Sequence, residues 1–142
     1  MPDGRPELLR GVVHPWHHDI FGHMNVRHYA PFFDDATFFL YSAMGVPVSW
    51  LLSEFGIHIV SAKAETNFIK ELKAGDGFVI DGAVSRIGNT SVRYEIGLFV
   101  KGSNQPAAEG FFVHVYVDRE GRRPKPLSQD WKSVIGRIAV DS

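Results

Sequence analysis

The feature that most narrows the fold is one stretch of helical periodicity followed by sequence that reads almost wholly as strand. From Tyr29 the apolar positions are Phe32, Phe33, Ala36, Phe39, Leu40, Ala43 and Met44. Their offsets of three, four, seven, ten, eleven, fourteen and fifteen trace a single stripe along an α-helix. Gly45 and Pro47 supply the stop. Asn25 is a suitable cap for the approach to this helix, because its side chain accepts from a free backbone N–H. Pro31 lies past the first turn if Asn25 is the cap, where its ring and missing donor oppose an α-helix. The expectation is therefore an irregular first turn or a helix that begins nearer Tyr29. A short second helix is expected over Ser49 to Phe55, ended by Gly56.

The remaining segments have strand character. Gly11 to His14 reads as a short strand cut off by Pro15. His58 to Ile69 is rich in β-branched and small residues, Lys73 to Asp76 is a turn, and Phe78 to Ile87 is the next run. Gly88-Asn89 offers a hairpin turn. Ser91 to Val100 alternates, with Val92, Tyr94, Ile96, Leu98 and Val100 on one face and Arg93, Glu95, Gly97 and Phe99 on the other. Beyond the turn at Ser103 to Pro106, Gly110 to Val117 places Phe111, Val113, Val115 and Val117 together, and Ser128 to Ile138 suits a terminal helix. An antiparallel sheet with one apolar face and a lone long helix buries both by wrapping the sheet around the helix, an α+β arrangement. So few strands leave open edges, which favours pairing between subunits.

Composition limits the possible functions. The 142 residues suit one domain spanning 1–142, with residues 1–9 as a flexible lead-in. A net charge of −1 offers no global field for nucleic acid or an anionic membrane. The absence of Cys removes disulfides, thiolate metal sites and a cysteine nucleophile. The start of the sequence is polar, with Pro2, Gly4 and Pro6, and no apolar run reaches bilayer length, so a cytoplasmic location without membrane contact is expected. His17, His18, Asp19, His23 and His28 are close in sequence but lack the two-histidine helical spacing of a hydrolytic zinc site, and no metal is expected.

Chemistry concentrates in Asp19-Ile-Phe-Gly-His-Met-Asn25, followed by Tyr29. A carboxylate, a glycine, a polar pair and a helix start are the parts that thioester hydrolysis needs. The carboxylate activates water or attacks the carbonyl, and free amides at the helix start stabilise the oxyanion. Gly22 permits a positive φ or a close backbone approach. Strand, then Asp-x-x-Gly-His-x-Asn, then Tyr and an aromatic-rich helix resembles the 4-hydroxybenzoyl-CoA thioesterase group of the hot-dog superfamily. Tyr29-Ala-Pro-Phe-Phe-Asp-Asp-Ala-Thr37 and Glu65-Thr-Asn-Phe-Ile-Lys-Glu-Leu-Lys-Ala-Gly-Asp76 fit the same course, so the resemblance runs from Gly11 to about Val117.

The resemblance implies a hot-dog fold and an acyl-CoA thioester hydrolase that needs no cofactor, CoA being part of the substrate. It places the family's acidic residue on Asp19 and its oxyanion donor on the Val26 backbone N–H. His23 and Asn25 would shape the loop and orient the acid, while Phe21, Gly22, Tyr29 and Phe33 would line the substrate site. Glu65 and Thr66 would face a partner's site in a homodimer or dimer of dimers, with CoA along the interface. Val26, Asp34 and Thr37 stand where many relatives carry a further polar residue and a Glu…Arg pair, which leaves the acyl group open among aryl, medium-chain and carnitine-like cationic types. The competing expectations are a non-catalytic acyl-CoA-binding module and an enoyl-CoA hydratase or dehydratase, the latter wanting a catalytic His on the helix.

Overall fold

The computed structural model describes residues 5–46, 48–121 and 123–137. Its elements are β1 (Glu7–Val12), two 3-10 turns (Pro15–His17 and Val26–His28), α1 (Tyr29–Ala43), α2 (Val48–Phe55), β2 (His58–Phe68), β3 (Gly77–Ile87), β4 (Ser91–Val100), β5 (Ala108–Val117) and α3 (Gln129–Gly136). The strands form one antiparallel sheet in the order β1-β3-β4-β5-β2. α1 lies against it, mainly over β1 and β3.

Two boundaries differ from expectation. The first strand runs from Glu7 to Val12 rather than from Gly11 to His14, so Glu7 to Leu9 belong to the sheet and not to a loose lead-in. Its charged Glu7 and Arg10 face water, which an edge strand allows, and only Leu8 is buried. The terminal helix is capped by Ser128, whose Oγ accepts from Trp131 N–H at 3.1 Å, and it ends at Gly136; the expected end, Ile138, lies outside the described residues, as does Pro47.

The start of α1 satisfies both alternatives left by Pro31. Asn25 Oδ1 accepts from Arg27 N–H at 2.9 Å and caps a 3-10 turn. The α-helix proper begins at Tyr29, so Pro31 falls within its first turn, where no intrahelical donor is lost.

The buried stripe is rotated from the one the apolar residues trace. Tyr29, Phe33, Ala36, Leu40 and Met44 are buried as expected, but Phe39 is 48% exposed, while Thr37 and Tyr41 are buried. A parallel shift occurs on β5, where His114 and Tyr116 face the core and Val113 and Val115 do not.

The reason for both shifts is a polar cluster in the core. Tyr94 donates to Tyr41 Oη at 2.6 Å, and Tyr41 also lies 2.8 Å from Tyr116 Oη and 3.0 Å from His114 Nδ1. Tyr94 and Tyr116 bond to each other. Each hydroxyl therefore has partners, and the rings contribute apolar area without leaving orphaned groups. Burial raises the Tyr41 and Tyr94 hydroxyls well above their ordinary range and pushes the His114 imidazole down to about 4.

On the far face of the sheet, Asp81 is wholly buried in β3, and Arg5 Nη2 lies 3.0 Å from its Oδ1. The pair is ionic by distance but not aligned as a hydrogen bond. Burial raises the Asp81 carboxyl, and Arg5 pulls it back.

Two outcomes follow from these contacts. Asn25→Ala should cost about 1 kcal/mol in urea unfolding, and Asn25→Asp should recover most of it; no loss in the alanine variant would remove the cap. Neutral His114 contributes stability fully above its ordinary value of 6.5, lost as pH falls from there through about 4. The contribution is at most about 3 kcal/mol. Denaturation at a series of pH values across that window should show a shallower decline for His114→Phe than for the parent chain, and equal declines would exclude His114 as the source.

Candidate active site

The loop before α1 folds back on itself as a small hairpin. His18 and Met24 pair, Asp19 N–H donates to His23 O at 2.9 Å, and Gly22 N–H donates to Asp19 O at 3.2 Å. Gly22 turns this hairpin at φ +82° with nothing within 4 Å of the place a Cβ would occupy. The glycine is required by its left-handed backbone rather than by crowding. The loop is pinned from outside at both ends. Met24 N–H donates to Leu72 O and Asn25 N–H to His17 O, each at 2.8 Å, while Ala74 N–H donates to His18 Nε2 at 2.7 Å.

This arrangement brings four of the expected residues together. Asp19, His23, Val26 and Tyr29 line a cleft of about 360 Å³ whose opposite wall is Phe68, Ile69, Lys70 and Glu71. Asp19 is half-buried, and its Oδ1 accepts from Phe21 N–H at 2.8 Å. The Arg27 and His28 amides are taken by Asn25, whereas the Val26 N–H has no acceptor among the described residues. Val26 thus presents a free amide at the beginning of the helical segment, where the helix dipole favours negative charge.

Tyr29 is buried edge-on to Phe68 with ring centroids 5.0 Å apart, and burial, aided by the charge of Glu71, raises its hydroxyl. His23 Nε2 lies 3.0 Å from Glu71 Oε2. Glu71 is the residue that sequence reasoning passed over. It sits inside the segment quoted for its family resemblance, but no periodicity marks it, and its role comes only from the fold.

Other expected residues fall elsewhere. Asn25 acts as the cap behind the cleft. Phe21 is 76% exposed at the hairpin tip and lines a separate hollow with Trp16 and Arg27 on the other side of Asp19. Phe33 is wholly buried in the core and does not line the cleft, because the apolar stripe of α1 turns it toward the sheet. Glu65 lies in a polar hollow with Arg5, Glu95 and Glu109, and within one chain neither it nor Thr66 lines the cleft at Asp19.

His17 and His18, near the loop, accept from backbone amides. His14 N–H donates to His17 Nδ1 at 2.9 Å, and burial, with the neighbouring histidines, lowers the His17 imidazole. Among the described residues no group of three or more His, Asp or Glu side chains is placed to hold a metal ion, and no single helix is long and apolar enough to cross a membrane.

Known proteins share this fold. The sequence profile of the thioesterase-like superfamily matches residues 13–135. No curated protein gives a significant sequence match. Among solved structures, a Pseudomonas aeruginosa protein is 25% identical with a TM-score of 0.76, covering 95% of this chain and 96% of its own. The 1,4-dihydroxy-2-naphthoyl-CoA thioesterase of Synechocystis is 16% identical with a TM-score of 0.78, covering 92% and 95%. A Staphylococcus aureus protein solved in complex with CoA is 16% identical with a TM-score of 0.80, covering 94% and 84%. With its five-stranded antiparallel sheet packed on one long helix, this chain belongs to the thioesterase-like superfamily and has the hot-dog fold.

Proposed function

We propose that the chain hydrolyses an acyl-CoA thioester to the free acid and CoA, with Asp19 as the catalytic carboxylate and the Val26 N–H as an oxyanion donor. The observation that carries this reading is the meeting of a half-buried carboxylate and an unpaired helix-start amide in one cleft. Only Oδ1 of Asp19 is held, by Phe21 N–H, and no described residue engages Oδ2. Acting as a base, Asp19 takes a proton from water as the water oxygen bonds to the thioester carbon. The carbonyl oxygen becomes an anion, received by the Val26 amide and the helix dipole. The carbon–sulfur bond then breaks, and the thiolate of CoA takes up a proton. In the nucleophilic variant Asp19 bonds to the carbon first, the carbon–sulfur bond breaks to release the CoA thiolate, and water opens the resulting anhydride to the free acid and the restored carboxylate. His23, held by Glu71, positions the loop. Water, a carboxylate and backbone amides suffice for this reaction, so it calls for no cofactor.

The Asp19-x-x-Gly22-His23-x-Asn25 spacing favours the 4-hydroxybenzoyl-CoA thioesterase-like group. The Synechocystis protein named above acts on a CoA thioester and the Staphylococcus protein binds CoA, which supports the same class of substrate here. A cytoplasmic location, where acyl-CoA esters are handled, goes with this assignment.

The same reading includes a homodimer or dimer of dimers. β2 is a sheet edge eleven residues long, and Val60, Phe68 and Ile69 on or beside it are roughly half exposed. A long open edge with apolar side chains favours pairing with a second copy. Phe68 and Ile69 also wall the cleft, so a partner there would lie beside the site and bring Glu65 and Thr66 into play.

Two measurements test these assignments. Asp19→Asn should keep the circular dichroism spectrum and lower thiol release by roughly 10²–10⁴-fold. The parent chain should be screened over aryl, short, medium, branched and cationic acyl-CoAs. Near-normal turnover by the variant would end the assignment, and stabilisation by acyl-CoA without any product would replace it with a binding module. Sedimentation equilibrium should give a dimer or tetramer, and a monomer throughout the micromolar range would exclude the pairing.

A further inference from the structure

α1 leans toward β1 and β3, and a second cavity of about 350 Å³ opens between it, α2 and the β2–β5 half of the sheet. Its walls include Asp34, Thr37 and Tyr41 of α1, Leu51 of α2, Ser61 of β2 and His114 of β5. It shares no lining residue with the cleft at Asp19. Both openings lie between α1 and β2, however. Tyr29 meets Phe68 at one end of β2, and Tyr41 faces the cavity with Ser61 toward the other. One 3-10 turn at about 2 Å per residue and five helical residues at about 1.5 Å put Asp34 roughly 12–14 Å beyond Val26. That reach exceeds an aromatic ring joined directly to the thioester and suits a medium-length chain.

The cavity mixes apolar and polar walls, with Asp34, His58 and Ser61 nearer solvent and one buried imidazole at His114. His114 is 5% exposed, Tyr41 takes its Nδ1, and Nε2 has no partner among the described residues. The tyrosine hydroxyls fix no single tautomer. If Tyr41 donates to Nδ1, Nε2 carries the proton. If the three hydroxyls donate around their own ring, Nδ1 donates to Tyr41 and Nε2 is an acceptor. Thr37 Oγ1 spends its proton on Asp34 O at 2.7 Å and has lone pairs left to accept.

A hydroxyl both donates and accepts, so it pairs with Nε2 in either tautomer and still suits Thr37. An anionic tip would meet the Asp34 carboxylate and an imidazole kept neutral by burial. A quaternary ammonium tip has nothing to donate or accept and would leave Nε2 unpaired.

We propose that this cavity is the subsite for the far end of the acyl group and that it selects a medium-length chain tipped by a hydroxyl, held at His114 Nε2 and Thr37 Oγ1. The proposal rests on the hydrolase reading for the reacting end of its substrate, and the test separates the two. Thiol release is compared for ω-hydroxydecanoyl-CoA, decanoyl-CoA and the ω-carboxylate and ω-trimethylammonium chains of equal length. The parent chain should favour the hydroxylated substrate about tenfold or more in kcat/KM, and His114→Phe should bring its ratio to decanoyl-CoA near one. Ser61→Phe, placed on the exposed edge strand outside the tyrosine cluster, should fill the cavity and shift preference to shorter chains. Equal rates for the hydroxylated and plain substrates in the parent chain, an undiminished ratio in His114→Phe, or unchanged length preference in Ser61→Phe would each overturn the subsite. If no acyl-CoA is hydrolysed, the hydrolase reading fails, and calorimetry with the free acids decides the cavity. Tighter binding of ω-hydroxydecanoate than decanoate, lost in His114→Phe, sustains it, and equal binding refutes it.

Discussion

A helix buried against a sheet still has to begin in the open, because its first amides find no partners within it. In this chain the beginning is held from three directions. Asn25 takes the Arg27 and His28 amides, the hairpin from His18 to Met24 is tied to Leu72 and Ala74, and Tyr29 is buried under Phe68. These contacts leave the Val26 amide free and set Asp19 beside it. The cleft thus exists because one cap fixes where the helix starts. Had the helix begun a turn later, carboxylate and amide would no longer share a wall.

Much of this was readable from residue types because local chemistry and the fold agree there. Asn25 as cap, Gly22 as a turn residue, Ser91 to Val100 as a strand and Tyr29 as the start of the α-helix proper are each dictated by neighbours in sequence. The rotation of the helical stripe was not. Thr37 and Tyr41 carry hydroxyls that a hydrophobic count assigns to water, and Phe39 counts as core. Only contacts distant in sequence reverse this, since Tyr94, Tyr116 and His114 satisfy the Tyr41 hydroxyl. The same cluster decides which face of β5 turns inward, against the more apolar face with Val113 and Val115. Glu7 to Leu9 differ for a related reason: behind a polar start with Pro and Gly they read as a lead-in until pairing with β3 makes them part of an edge strand.

The site divides in the same way. Asp19, His23, Val26 and Tyr29 fall within eleven consecutive residues, and short-range geometry alone gathers them. Glu71 and the wall from Phe68 to Lys70 come from the end of β2 and the segment after it, with nothing in their order to announce the meeting. Phe33 shows the reverse error. An aromatic close to a catalytic loop in sequence is drawn into the core when the helix phase turns it inward, however near the chemistry it lies.

The ion pair between Arg5 and Asp81 bears on how this protein can be handled. A guanidinium that precedes the first strand neutralises a carboxylate seated in the middle of the sheet. Breaking such a buried pair from one side costs about 3–5 kcal/mol, a large part of the stability an ordinary domain possesses. Arg5 is therefore a clamp on the sheet and an unsuitable place for protease trimming or a grafted affinity tag, whereas the turns at Gly102 and Gly121 have room beside them for such engineering.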